Sequence, residues 1–278
     1  MSKPGEQDSK QPAFKEARLP AFFVFFLAFL PIIVLLFEFD PAPRVFSGYQ
    51  LAAGGLLVLV IVFSRLCGHD GSGKAVGAVF AFLMIPPIAS WLFISLVAAP
   101  ALLSPSIVYY IANYTGITAE WLYLNKSGFK HADLFIGRPA WRASWIYAAG
   151  FAFVSWGAMA IFFSASGRQM TAFASPDPAF SIALAAVFSL FNGAMEELWF
   201  RSLILGAFAR VFPGGFAVIY QSILFGVIHF EGTPSGPAGI ALASIFGLAA
   251  GWLTLKARSV LPAVCLHISV DFFIGLYF

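Results

Sequence analysis

Apolar runs long enough to cross a bilayer recur along nearly the whole chain, near residues 21–37, 48–64, 78–99, 144–165, 180–205, 215–230, 237–255 and 259–277. A crossing helix needs about 20 mostly apolar residues. The runs commit the chain to an all-α fold, a polytopic membrane helix bundle of eight to nine transmembrane helices around an intramembrane cavity. Composition agrees: of 278 residues, 60% are hydrophobic and only 10% charged, against about 25% charged in a soluble domain. The net charge of +3 is small, and the Lys and Arg residues fall between the apolar runs. Such spacing gives no nucleic-acid footprint.

The breaks set the organisation. Residues 1–20 are polar and read as a cytoplasmic tail. Glu38, Phe39, Asp40 and Pro41 follow the first apolar run where a signal peptide would need a small-residue cleavage site, so that run is expected to stay as a membrane helix. Pro86 and Pro87 should kink the third run. Turn signals at Ser175, Pro176, Asp177 and Pro178, at Pro213 to Gly215, and from Gly232 to Pro237 separate the later helices. The polar stretch 125–142 divides an N-terminal transmembrane bundle, 21–142, from a C-terminal core, 143–278.

Residues 102–124 are ambiguous, because Asn113, Thr115, Gly116, Thr118 and Glu120 interrupt an apolar and aromatic run. Loop charges arbitrate. With eight crossings and the N-terminus inside, seven Lys or Arg lie inside and eight outside. If 102–124 also crosses, Lys126, Lys130, Arg138, Arg142, Arg210, Lys256 and Arg258 move inside and Arg168 moves out, giving thirteen against two. The positive-inside rule favours nine crossings with a cytoplasmic N-terminus, and a re-entrant segment is the fallback.

Three polar islands interrupt the C-terminal runs: Glu196, Glu197 and Arg201; His229; and His267 with Asp271. An ionisable side chain at membrane depth costs about 2.5–3.5 kcal/mol by insertion scales. Arg210, Glu231, Lys256 and Arg258 fall at predicted helix ends, where charge reaches water, so the three islands are the intramembrane set and point to one shared site. Neighbouring helical residues point about 100° apart, so Glu196 and Glu197 should do different jobs. Glu197 and Arg201, four apart with the acid first, form a supporting ion pair, leaving Glu196 to face the cavity. His267 and Asp271 share a helix face, where the carboxylate can orient the ring. A packing network between helices is the plainer alternative for each island. Gly239, Ala243, Gly247 and Gly251 form a ladder of small residues that lets helices approach, which would bring the His229 and His267 helices together.

Two chemistries fit these groups. Glu196 can act as a general base on water, with His229 positioning that water and the third island stabilising an oxyanion. Alternatively, Glu196, His229 and His267 can form a two-histidine, one-carboxylate zinc site with an open water position. The zinc-protease pattern HExxH is absent.

The order EExxxR (Glu196, Glu197, Arg201), FxxxH (Phe225, His229), HxxxD (His267, Asp271) resembles the CAAX prenyl protease 2 and bacteriocin-processing family, also called type II CAAX endopeptidases, CPBP or Abi proteins. The resemblance covers residues 143–278. It implies an intramembrane protease, a hydrolase of the CAAX type II class, with Glu196, His229, His267 and Asp271 as catalytic residues and Glu197 with Arg201 in support. Members with asparagine at the last position have a neutral amide donor there, whereas an ionised Asp271 cannot donate. Asp271 is then neutral in its low-dielectric surroundings, or orients a protonated His267 that donates instead, or supports a metal; the second is favoured.

The expected function is hydrolysis of a peptide bond in a membrane-anchored protein or hydrophobic peptide tail. The glutamate type is favoured over the zinc-dependent one, so no cofactor is favoured and zinc stays open. A non-catalytic membrane scaffold or self-immunity protein is the alternative, and a proton-coupled transporter a third, although duplicated halves are not evident. The expected setting is the lipid bilayer of a prokaryotic inner (cytoplasmic) membrane.

Overall fold

The computed structural model describes residues 105–278 apart from 127, 211 and 231. The polar tail, the predicted crossings at 21–37, 48–64 and 78–99, and most of the N-terminal bundle lie outside the described residues. Six helices follow in order: α1 Pro105–Lys126, α2 Ser144–Ala165, α3 Pro178–Ala209, α4 Gly214–Ile228, α5 Gly236–Ala257 and α6 Leu261–Gly275. A single 3₁₀ turn, Thr171–Ala174, precedes α3.

Three of these helices, α2, α3 and α5, are long and apolar enough to cross a membrane. With the composition, they make this an integral membrane protein. The outer face of α2 carries Ile146 at 75%, Phe153 at 74% and Ile161 at 73% exposure; at membrane depth such a face meets lipid. The predicted crossings at 215–230 and 259–277 take a different form. Helices α4 and α6 have 15 residues each, roughly 22 Å of helix against a hydrocarbon core of about 30 Å. Within the ambiguous 102–124 segment, the described residues from Pro105 onward are helical, as α1. Three of its polar side chains fold back on their own helix: Asn113 donates to Tyr109 O at 2.9 Å, Thr115 to Ile111 O at 2.7 Å and Thr118 to Tyr114 O at 2.8 Å. Each of these three donors thereby finds an acceptor without water.

Helix α3 begins where the proline turn directs. Pro178 occupies the first turn, and the Asp177 carboxylate accepts from Phe180 N–H at 3.0 Å, capping an otherwise unpaired donor. The helix runs on as a π-helical stretch over Leu198–Ile204, where Leu205 N–H bonds Phe200 O, five residues back. Such stretches are uncommon and concentrate at functional sites. Here it follows directly after Glu197.

Packing places α4 against α5 and α6 against α3, with α2 covering α6 and α1 covering α3. The ladder on α5 seats that helix on α4: Gly247 meets Ser222, Gly251 meets Gln221, and Ser244 of α5 meets Gly226 of α4. The approach of the His267 helix has another cause. A Cβ at Gly193 would lie 2.9 Å from Ile268 N, and one at Gly275 would lie 2.9 Å from the Ala185 Cβ. The α3–α6 seam is therefore backbone against backbone at Gly193, one turn before the glutamates.

The loop after α1 closes one end. Ala140 N–H bonds Ala257 O at 2.8 Å, Val260 N–H bonds Phe135 O at 3.0 Å, Ser259 donates to Gly137 O at 2.6 Å, and Arg210 pairs with Asp133 at 2.7 Å. These bonds gather the segments bearing Lys126, Lys130, Arg138, Arg142, Arg210, Lys256 and Arg258 at a single end of the bundle.

Gly193→Ala should lower the thermal unfolding midpoint in detergent by the equivalent of about 1–3 kcal/mol, the usual cost of overpacking a tight contact. Gly150→Ala on α2, where a Cβ meets nothing within 4 Å, should leave the midpoint unchanged or raise it. Equal shifts for the two variants would contradict the close approach at Gly193.

Candidate active site

All three islands converge. Glu196 and Glu197 end the regular part of α3, His229 caps the C-terminus of α4, and His267 and Asp271 lie one turn apart on α6. Glu196 Oε2 stands 3.8 Å from His229 Nε2 and 3.7 Å from His267 Nε2. The adjacent Glu197 turns the other way and is fully buried, as the 100° step between neighbours requires.

Glu197 has two partners on one oxygen. Its Oε1 lies 2.9 Å from Arg201 Nη1 and accepts from His267 Nδ1 at 2.7 Å. The close orienting carboxylate of His267 is thus Glu197, across the helix interface. Asp271, four residues along the same helix, stands 3.4 Å from the other nitrogen, Nε2. Shared helical facing puts Asp271 near the ring, but the α3–α6 approach at Gly193 brings Glu197 nearer.

Arg201 is fully buried in the π-helical stretch. Its guanidinium lies 4.1 Å from the centroid of the Phe225 ring and 5.5 Å from that of Phe246, while none of its three nitrogens has a well-aligned hydrogen-bond partner among the described residues, Nη1 meeting Glu197 as an ion pair. One carboxylate and two aromatic faces therefore carry its charge; a desolvated cation–π contact contributes about 2 kcal/mol. Phe225 also packs on the His229 ring at 4.4 Å, and its carbonyl accepts from His229 Nδ1 at 2.7 Å. A carbonyl only accepts, so Nδ1 carries hydrogen and Nε2 is the nitrogen turned toward Glu196. This gives the FxxxH pattern a physical basis: one phenylalanine lids the arginine and anchors the histidine.

Sequence reasoning confined to ionisable residues passes over Asn192. Its Nδ2 donates to Glu196 Oε1 at 3.1 Å and to Asp271 Oδ2 at 3.0 Å. The available signal was a polar amide in an apolar helix, one turn before Glu196. Helix α1 also reaches this region. Tyr114 donates to Phe191 O at 2.9 Å, and the Tyr110 ring packs against Phe188 and Phe191. On the far side of α6, Trp156 donates to Ser269 O at 3.0 Å, tying α2 to the His267 helix.

Among the described residues, no group of three or more His, Cys, Asp and Glu side chains is arranged to hold a metal ion. Glu196, His229 and His267 are the residues that would supply such ligands, with Glu196 Oε2 3.8 and 3.7 Å from the two Nε2 atoms.

The fold and site define an all-helical membrane domain with a carboxylate and two imidazoles facing one another inside it. Residues 178–273 match the model of the family described as Type II CAAX prenyl endopeptidase Rce1-like. The matched stretch runs from the first turn of α3 almost to the end of α6 and contains every residue of the cluster. It supports the family that the three motifs resemble. Comparison with curated proteins and with solved structures found no match.

Arg201→Ala strands the Glu197 carboxylate in a buried position, and should cost about 3–5 kcal/mol of stability. Replacing both members, as Arg201→Met with Glu197→Gln, should cost less than the single change. Thermal unfolding of the purified variants in detergent decides it, and a double variant less stable than the single one would count against the pairing.

Proposed function

We propose that the chain is an intramembrane endopeptidase that hydrolyses a peptide bond in a membrane-anchored protein or hydrophobic peptide tail, with Glu196 activating the water. The observation that carries this is Glu196 Oε2. It is buried, accepts no hydrogen bond from any described group, and faces the Nε2 atoms of two imidazoles at 3.7 and 3.8 Å. The family match supports CAAX-type proteolysis within the membrane, for which the substrate is a membrane-anchored protein.

A water about 2.8 Å from each of two acceptors fits the separation between Glu196 Oε2 and His229 Nε2. It gives one hydrogen to each and keeps a lone pair for the substrate carbonyl. As its oxygen bonds the carbonyl carbon, Glu196 takes the proton, and the carbonyl oxygen gains the negative charge. His267 has Nδ1 committed to Glu197, so it is as the imidazolium that its Nε2 donates to this oxyanion, with Asp271 beside it. When the C–N bond breaks, Glu196 returns the proton to the leaving amine. General acid–base help of this kind contributes roughly 10²–10⁴-fold, and an oxyanion donor about 10²–10³-fold. No step runs through a metal. By the positive-inside rule the basic end of the bundle faces the cytoplasm.

Glu196→Gln keeps the shape of the side chain and removes the base. It should abolish cleavage while leaving expression and the unfolding midpoint intact. Comparing the N- and C-termini of membrane proteins from cells with native protein and with Glu196→Gln should show at least one terminus produced only by the native protein; identical termini would sink the hydrolase reading. For the glutamate mechanism, elemental analysis should find no stoichiometric zinc and a chelator should leave turnover unchanged, the opposite results favouring the metal.

A further inference from the structure

Asn192 is a side chain that touches both Glu196 and Asp271. One –NH₂ group carries two hydrogens, and here each goes to a different acid: Glu196 Oε1 at 3.1 Å and Asp271 Oδ2 at 3.0 Å. The flipped amide would set its oxygen against two carboxylate oxygens, so the partners themselves fix which end is nitrogen.

In both acids Asn192 binds the oxygen that the proposed chemistry does not use. Glu196 is held by Oε1, and Oε2 is the atom facing His229 and His267. Asp271 is held by Oδ2, and Oδ1 is the atom 3.4 Å from His267 Nε2. A carboxylate on a free side chain rotates and can exchange its oxygens; one pinned at a single oxygen presents the other in a fixed direction. The bridge spans two helices, and its reach depends on the next residue, Gly193, where a Cβ would collide with Ile268 N of α6. An ionised Asp271 brings no N–H of its own to the site. The nearest neutral amide donor comes instead from α3.

We propose that Asn192 is a positioning residue, whose amide aims Glu196 Oε2 at the two imidazoles and Asp271 Oδ1 at His267 by binding the other oxygen of each carboxylate. The assignment rests on the hydrolysis proposed above and deepens it.

The test exchanges the two partners. Full-length Asn192→Asp, Asp271→Asn and the double variant carrying both changes are expressed beside the native protein and Glu196→Gln. The readout in cell membranes is the rate at which the native-specific terminus forms, and each purified variant is also melted in detergent. Asn192→Asp, which loses the bridging N–H groups, should slow cleavage at least about a hundredfold, the scale of a small misplacement of a reacting group. The double variant restores one amide and one carboxylate across the seam, so it should melt more like the native protein than Asn192→Asp does, but it leaves Glu196 Oε1 without its N–H donor and should still cleave slowly. Asn192→Leu, close in volume, should melt like the native protein and cleave as slowly as Asn192→Asp.

Native rates in Asn192→Leu would overturn the proposal. So would a double variant that cleaves at the native rate, because no N–H from position 192 would then reach Glu196 Oε1. Native and Glu196→Gln membranes with the same termini would remove the hydrolysis itself, and the positioning role with it; a native-specific terminus that persists in the Asn192 variants removes the positioning role alone.

Discussion

Glu197 Oε1 receives the Arg201 guanidinium at 2.9 Å and the His267 Nδ1 hydrogen at 2.7 Å, and the rest of the site is arranged around that shared oxygen. In a membrane interior each of these groups alone would be costly. Together they fix a residue on α6 to two residues on α3. His267 is thereby turned with Nε2 toward Glu196, and Arg201 is brought under Phe225, whose carbonyl in turn sets His229. The ion pair that looks structural in sequence is the part from which both imidazoles take their direction.

Such an arrangement needs backbones closer than ordinary side chains permit. The fold supplies two small-residue seams, Gly193 against Ile268 between α3 and α6, and Gly247 and Gly251 against Ser222 and Gln221 between α5 and α4. Close packing substitutes for the hydrophobic drive that lipid does not provide between helices. The π-helical stretch lies where α3 passes from the carboxylates to the buried arginine. Its residues from Phe200 to Ile204 are all buried, so this half of the helix is enclosed by protein while the half before Glu196 carries exposed Phe180, Leu184 and Val187.

Much of this was legible in the residues. Long apolar runs give helices because each crossing must satisfy its own backbone, and the spacing of Glu197 and Arg201 gives their pairing. The separate tasks of Glu196 and Glu197 follow from helical geometry alone. What spacing does not reveal is contact between helices. The i,i+4 relation ties His267 to Asp271, yet the shorter bond runs to Glu197, seventy positions away. The α5 ladder is visible as a ladder, but its partner is not, and the decisive small residue for His267 is Gly193. Asn192 carries no charge and so escapes a search for expensive ions, although an amide in lipid also demands partners.

Coupling between Arg201 and His267 is the most direct measure of whether one carboxylate joins them, since Glu197 Oε1 is the polar atom that meets both, the Phe225 and Phe246 rings being the apolar contacts they share. A double-mutant cycle with Arg201→Met and His267→Ala, read as the rate of formation of the native-specific membrane-protein terminus, reports that coupling. Shared anchoring predicts strongly non-additive losses, with an interaction of about 0.5–3 kcal/mol and little further loss from Arg201→Met once His267 is gone. Losses that add to within about 0.3–0.5 kcal/mol would mean that the ion pair and the catalytic imidazole act independently, and would contradict the arrangement described here.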